Sequence, residues 1–252
     1  MANKITSVVV VTYNSSETII ETLESIKIQD YRKYIEVVVS DDCSTDNTVD
    51  IIKDWFFRNE LFFSSVVLIE NSKNSGITKN FNKAIQSSSG EYIKILAGDD
   101  ALLSISSIRI YIENIREKQI IFSPVAIFGC DDSIELAKHE SYKFSNFLEM
   151  DERDKKGSVF ANSEYSPKIT GVFFRRQLLM NMGLFDENYP MMEDYPFIVK
   201  IFERHYEDIV FLDKQLYNYR VRGNFLENFF VSKRKIDHVR SLNKYRKKEV
   251  LP

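Results

Sequence analysis

Acids at the ends of apolar runs carry most of the chemical signal in this chain. Asp99-Asp100 follow Gly98 at the end of the apolar run 92–96, and Asp41-Asp42 follow the run 35–39. Carboxylates shared with phosphate oxygens and water suit a hard divalent ion, Mg2+ or Mn2+. An anionic diphosphate beside Asp99 and Asp100 needs such a cation between, so the pair predicts a metal-bridged nucleotide diphosphate. A carboxylate at Asp42 can accept the imide N–H of uracil, and Tyr13 can stack on the base. Asp41 and Asp42, with Ser44, Thr45 and Asp46, also read as a turn and helix-cap cluster. Glu193-Asp194 open an apolar helical stretch. On its own Asp194 reads as an acid that caps the helix and faces its dipole. Asp131-Asp132 also follow an apolar run but receive no role.

The elements that position these residues are legible as alternating periods. Residues 5–11 form a continuous, largely β-branched run, expected as a strand buried on both faces, and 35–39, 66–69 and 92–96 are expected as the second, third and fourth strands. Residues 16–28, 47–57 and 78–86 carry apolar side chains at helical spacing. This alternation implies right-handed βαβ units and a parallel sheet. Ligands of such sheets sit beyond the carboxyl ends of the strands. Thr12-Tyr13-Asn14, Asp41-Asp42 and Asp99-Asp100 therefore converge on one edge. Beyond residue 100 a helix is expected over 105–115 and one strand over 120–128. Residues 129–165 read as a solvated loop or helix face. Short strands are expected near 171, 208–212 and 216–220, with helices over 175–182 and 194–204.

The composition is that of a soluble globular protein: 252 residues, 44% apolar and 28% charged, with a net charge of −3. Two cysteines build neither a disulfide framework nor a zinc site. His139, His205 and His238 share no ligand spacing. No apolar run is long enough to span a bilayer and no signal-peptide pattern opens the chain. A cytoplasmic protein is therefore expected, with any membrane contact peripheral and at the inner face. No Gly-rich dinucleotide or phosphate loop follows the first strand. The tail over 223–252 holds eight Lys/Arg against three acids, a net +5 that leaves −8 over residues 1–222. Its apolar residues recur at helical spacing. It reads either as a helix packed on the domain or as a basic amphipathic element for anionic lipid. Nucleic acid is disfavoured as a partner because the main body is acidic.

Taken in order, Val9-Val10-Val11-Thr12-Tyr13-Asn14, Ser40-Asp41-Asp42-Cys43-Ser44-Thr45-Asp46, Asn74-Ser75-Gly76-Ile77-Thr78-Lys79-Asn80, Gly98-Asp99-Asp100, Gly183-Leu184-Phe185-Asp186-Glu187, Glu193-Asp194-Tyr195 and Tyr219-Arg220 resemble the family 2, GT-A-fold glycosyltransferases of the non-processive type. The resemblance covers roughly residues 5–222. It implies an α/β fold with a Rossmann-like, mostly parallel central sheet flanked by helices and followed by a helical tail. The domain would cover 1–222, with a nucleotide-binding half over 1–100 and an acceptor-binding half over 101–222. The resemblance further implies nucleotide-sugar contacts from Thr12, Tyr13, Asn14, Glu17, Asp42, Lys79 and Asp99, the metal at Asp100, and Asp194 as catalytic base. The implied reaction is an inverting, Mn2+- or Mg2+-dependent sugar transfer. The donor would be a nucleotide sugar, expected as a UDP-sugar, and the acceptor a hydroxyl of a cell-envelope or lipid-linked glycan. A nucleotidyltransferase or a non-catalytic sugar-nucleotide-binding module are the alternatives. Two departures stand out. Cys43 replaces the usual Gly or Asn, and Gly98 stands where a third acid is common.

Overall fold

The computed structural model describes residues 4–129, 133–161, 167–189 and 194–221. The first half runs β1 (Thr6–Thr12), α1 (Ile19–Lys27), β2 (Ile35–Asp41), α2 (Thr48–Asn59), β3 (Ser65–Glu70), α3 (Ile77–Ser87) and β4 (Tyr92–Ala97). The second runs β5 (Ala101–Leu102), α4 (Ser107–Ile115), β6 (Ile120–Phe122), β7 (Val125–Phe128), α5 (Ser133–Glu149), α6 (Glu152–Phe160), β8 (Val172–Arg175), α7 (Arg176–Asn181), α8 (Asp194–Arg204), β9 (Ile209–Phe211) and β10 (Tyr217–Arg220). Seven strands form one sheet in the order β3-β2-β1-β4-β8-β6-β9, and β5-β10-β7 form a second. Only β8 runs antiparallel to its neighbours in the large sheet. The fold is the expected α/β type with a mostly parallel central sheet.

The valine runs explain why the sheet is covered on both sides. Successive side chains of a strand point to opposite faces. Val8 and Val10 enter a core with Ile19, Leu23 and Ile26 of α1 and Ile52 and Trp55 of α2. Val9 and Val11 enter the opposite core, with Phe81, Ala84 and Ile85 of α3. A strand that is apolar at every position is therefore buried twice, which is what a parallel sheet between helical layers requires.

Two expectations for the second half are corrected. The run 120–128 is two strands in two sheets, broken at Ser123-Pro124. Proline has no N–H to continue a ladder. Instead Ser123 donates its N–H to the Gly171 carbonyl at 3.0 Å, and its hydroxyl also donates to that oxygen at 2.9 Å. A Cβ on Gly171 would lie 2.1 Å from the Ser123 carbonyl oxygen, so only glycine permits this crossing. The segment 129–165 is not merely solvated. α5 sends Phe144 and Phe147 into the core, where Phe147 packs on Phe202 of α8 and Phe211 of β9. The charged run at 151–156 is the capped start of α6: the Asp151 carboxylate accepts the Asp154 N–H at 2.8 Å. Asp131-Asp132, Glu193 and the basic segment 223–252 lie outside the described residues. Among the described residues no helix is long and apolar enough to cross a membrane.

Candidate functional site

β1, β2 and β4 are parallel neighbours, so their carboxyl ends share one edge. Two backbone bonds tie the loops there: Asp42 N–H to the Thr12 carbonyl at 2.9 Å and Gly98 N–H to the Val11 carbonyl at 2.9 Å. A Cβ on Gly98 would meet Thr12 Oγ1 at 2.7 Å, which explains a glycine where an acid is common. Thr12 Oγ1 is buried with no hydrogen-bond partner among the described residues. Such an orphaned hydroxyl at the carboxyl edge of the sheet is a ready contact for a ligand. Tyr13 is 43% exposed, with a ring face available for stacking. Asn14 takes a left-handed backbone, φ 50°. Its side-chain oxygen accepts the Thr45 N–H at 2.8 Å, and its N–H donates to Ser44 Oγ at 2.8 Å, so Asn14 braces the β1 loop against the β2 loop. Cys43 is also left-handed, φ 65°. That conformation costs little for glycine or asparagine, the residue types it replaces. Glu17 and Lys79 are both exposed to solvent.

Asp42 is 3% exposed. Its carboxylate accepts the N–H groups of Ser75 at 2.9 Å and Gly76 at 2.8 Å, fixing the loop that opens α3. Behind it Asn80 bonds the Ser40 hydroxyl and carbonyl at 2.6 and 2.9 Å and accepts from Asn71 at 3.0 Å. Asn71 also donates to the Asp42 carboxylate at 3.4 Å, and with two acceptor sites on each oxygen Asp42 keeps capacity for one further donor.

The Asp99-Asp100 turn is held by residues from 117 and 120 positions along the chain. Asp100 is 2% exposed. One of its carboxylate oxygens accepts the Tyr217 hydroxyl and the other accepts the Arg220 N–H at 2.8 Å. Its carbonyl accepts the Thr22 hydroxyl of α1 at 2.7 Å. Burial, and next the charge of Asp99, push its carboxyl up to about 7. Each Asp100 carboxylate oxygen thus takes one protein donor and keeps a second acceptor site. Asp99 is only half-buried, and the Arg220 guanidinium donates to its carbonyl at 2.8 Å. Lys94, wholly buried in β4, donates to the carbonyls of Thr170 at 2.5 Å and Val172 at 3.2 Å and lies 4.4 Å from the Tyr217 ring centre. Burial pushes its ammonium down to about 7, against the pull of Asp100.

Among the described residues no three His, Cys, Asp or Glu side chains form a metal cage. A divalent ion that keeps its waters and binds substrate phosphates needs only one or two carboxylates. The half-buried Asp99 beside a like-charged neighbour fits that kind of site.

Asp194 opens α8, its carboxylate accepting the Tyr195 N–H at 2.7 Å. Phe197 packs on Phe174 of β8, and Phe202 packs on Phe122 of β6 and Phe211 of β9. The helix thus crosses the sheet outward, with Asp194 at the end nearer β8 and β4. The described contacts of Asp194 do not reach the strand-end residues.

Tyr217, Thr22 and Lys94 were not singled out by sequence, and Arg220 was noted without a role. Lys94 inside an otherwise apolar strand was the available signal, because a buried ammonium must find acceptors.

The family model described as "Glycosyl transferase family 2" matches residues 7–165. The chain belongs to glycosyl transferase family 2. An uncharacterized family relative by name, the glycosyltransferase MJ1057 of Methanocaldococcus jannaschii, is 27% identical over 233 residues, covering 90% of this chain and 74% of that protein. The poly(ribitol-phosphate) β-N-acetylglucosaminyltransferase TarS of Staphylococcus aureus is 42% identical over 95 residues, 37% of this chain and 16% of TarS. TarS 1–349 in complex with UDP-GlcNAc has a TM-score of 0.67 at 22% identity, covering 97% of this chain and 73% of that one. The mannosyltransferase PcManGT of Pyrobaculum calidifontis, in complex with GDP-Man and Mn2+, has a TM-score of 0.68 at 17% identity, covering 99% of this chain and 66% of that one. These likenesses establish the GT-A type of fold for this family 2 chain.

Proposed function

We propose that this family 2 chain is an inverting glycosyltransferase that uses a UDP-sugar and a divalent ion. The observation that carries the reading is one sheet edge holding Tyr13, Thr12, Asp42 and the Asp99-Asp100 turn together. Tyr13 stacks on the base, Asp42 accepts the uracil imide N–H, and Thr12 contributes its unpaired hydroxyl. Asn14 and Glu17 shape the base-side wall, and Lys79 approaches the nucleotide from α3. We assign the ion to the Asp99-Asp100 pair: Asp99 offers the more exposed carboxylate, and Asp100 keeps one acceptor site on each oxygen. Mn2+ or Mg2+ there supplies charge neutralisation for the departing diphosphate.

Asp194 is the base in this reading. It takes the acceptor hydroxyl's proton as the new oxygen–carbon bond forms at the anomeric carbon and the bond to the diphosphate breaks. The displaced UDP carries the negative charge away. Residues 1–100 form the donor half and 101–222 the acceptor half. The acceptor is a cell-envelope glycan or a lipid-linked glycan. TarS, named for poly(ribitol phosphate), supports the polymer choice.

Release of UDP from a panel of UDP-sugars, with and without acceptor glycans, tests the assignment. Asp194→Asn is expected to keep UDP-sugar affinity and lose turnover by about 100-fold or more, the scale of general-base catalysis. Undiminished transfer by that variant would remove Asp194 from the mechanism. UDP-sugar binding without turnover on any acceptor would favour a non-catalytic binding module.

A further inference from the structure

We propose that Arg220 is a positioning residue that aims Asp99 at the metal-bound diphosphate, an inference that rests on the functional reading above. Arg220 reaches three elements from the end of β10. Its backbone N–H donates to the Asp100 carboxylate at 2.8 Å. Its Nε–H donates to the Asp99 carbonyl at 2.8 Å. The far end of the guanidinium pairs with the Glu21 carboxylate on α1. The Phe128 ring of β7 lies under the guanidinium, 4.2 Å away, and fixes its plane. Gly129, at φ +95°, leaves room for the stem: a Cβ there would fall 3.1 Å from Arg220 Cγ and 2.9 Å from the Val221 carbonyl oxygen.

A guanidinium is a rigid fork with five donors, so one side chain can hold a carbonyl and a carboxylate in fixed relation. The main chain at Asp99 is where this matters. Asp100 is anchored by Tyr217, while Asp99 carries the half-exposed carboxylate; the peptide joining them is held by the Arg220 bond to its carbonyl and by the Asp100 N–H, which donates to the Ala97 carbonyl at 3.1 Å. Without that bond the Asp99 carboxylate loses its orientation toward the phosphates while the fold keeps its core. Groups that orient an ion's ligand typically matter 10- to 100-fold in metal affinity.

The test is titration of UDP into the full chain, with Mn2+ and with EDTA, for the wild type, Arg220→Ala, Arg220→Lys and Asp99→Ala. Alanine keeps the backbone bond to Asp100 and removes only the side-chain contacts. Arg220→Ala is expected to weaken Mn2+-dependent UDP binding by about 10-fold or more, with binding in EDTA unchanged. Arg220→Lys, a point charge unable to serve both partners, should fall between, and it carries the same test if the alanine variant does not fold. Wild-type affinity in Arg220→Ala, alongside loss in Asp99→Ala, would overturn the positioning role while leaving the functional reading intact. Equal losses with Mn2+ and with EDTA would also overturn it, as a general structural defect. UDP affinity indifferent to Mn2+ in the wild type would overturn the functional reading and this proposal with it.

Discussion

Lys94 is a lysine inside a sheet, and two carbonyls and an aromatic ring are what keep it there. Its ammonium loses water on folding, and the acceptors at Thr170 and Val172 replace only part of that hydration. Burial holds its pKa near 7, below the ordinary 10.5. Between those values the folded state has released a proton that the unfolded chain still holds. Stability from this group therefore rises with pH across that window. Asp100, raised to about 7 by burial, is lost as a source of slope as pH climbs above that value. Urea unfolding at pH 8 and 9.5 should show a rise in the wild type that Lys94→Met flattens. Parallel changes in the two proteins would contradict a buried, depressed Lys94.

At the scale of elements, the approach of β4 to β1 shapes the cleft floor. Gly98 sits against Thr12, where a Cβ would come within 2.9 Å of the Thr12 Cβ. The obstacle is a short, buried side chain on a central strand, with little freedom to move aside. Gly98→Ala should cost about 1–3 kcal/mol of stability, the range for overpacking, and weaken nucleotide binding with it. Chemical denaturation and UDP titration check both, and a neutral substitution would mean the turn after β4 is softer than its packing indicates. The strands β1, β2 and β4 were legible because their valine- and isoleucine-rich cores (residues 8–11 and 37–39, Ile93 and Ile95) favour burial on both faces. Thr12, Asp42 and Asp99 were legible because each follows such a strand. The break at Ser123-Pro124 was hidden inside one apolar run, and the partner strands that divide it, β8 and β10, lie far along the chain. The core face of α5 was masked by the polar residues around Phe144 and Phe147. Tyr217 and Arg220 meet Asp100 only because β10 pairs antiparallel with β5, Tyr217 opposite Leu102. No local pattern near Asp100 records that register.

For the molecule as a whole, charge is the constraint that decides how a donor can bind. Residues 1–222 carry a net −8, and three of the acids in that sum, Asp42, Asp99 and Asp100, lie at the candidate site. A bare diphosphate entering such a field is repelled, and in the proposed function its binding is coupled to a cation. That coupling is the central claim, and free Mn2+ measured by electron paramagnetic resonance tests it directly. Protein alone should deplete the free-ion signal weakly, since no cage of three ligands preexists among the described residues. Protein with UDP should deplete it well beyond UDP alone, and Asp99→Ala should return it to the level of UDP alone. Mn2+ uptake unchanged by UDP, or retained in full by Asp99→Ala, would contradict the account.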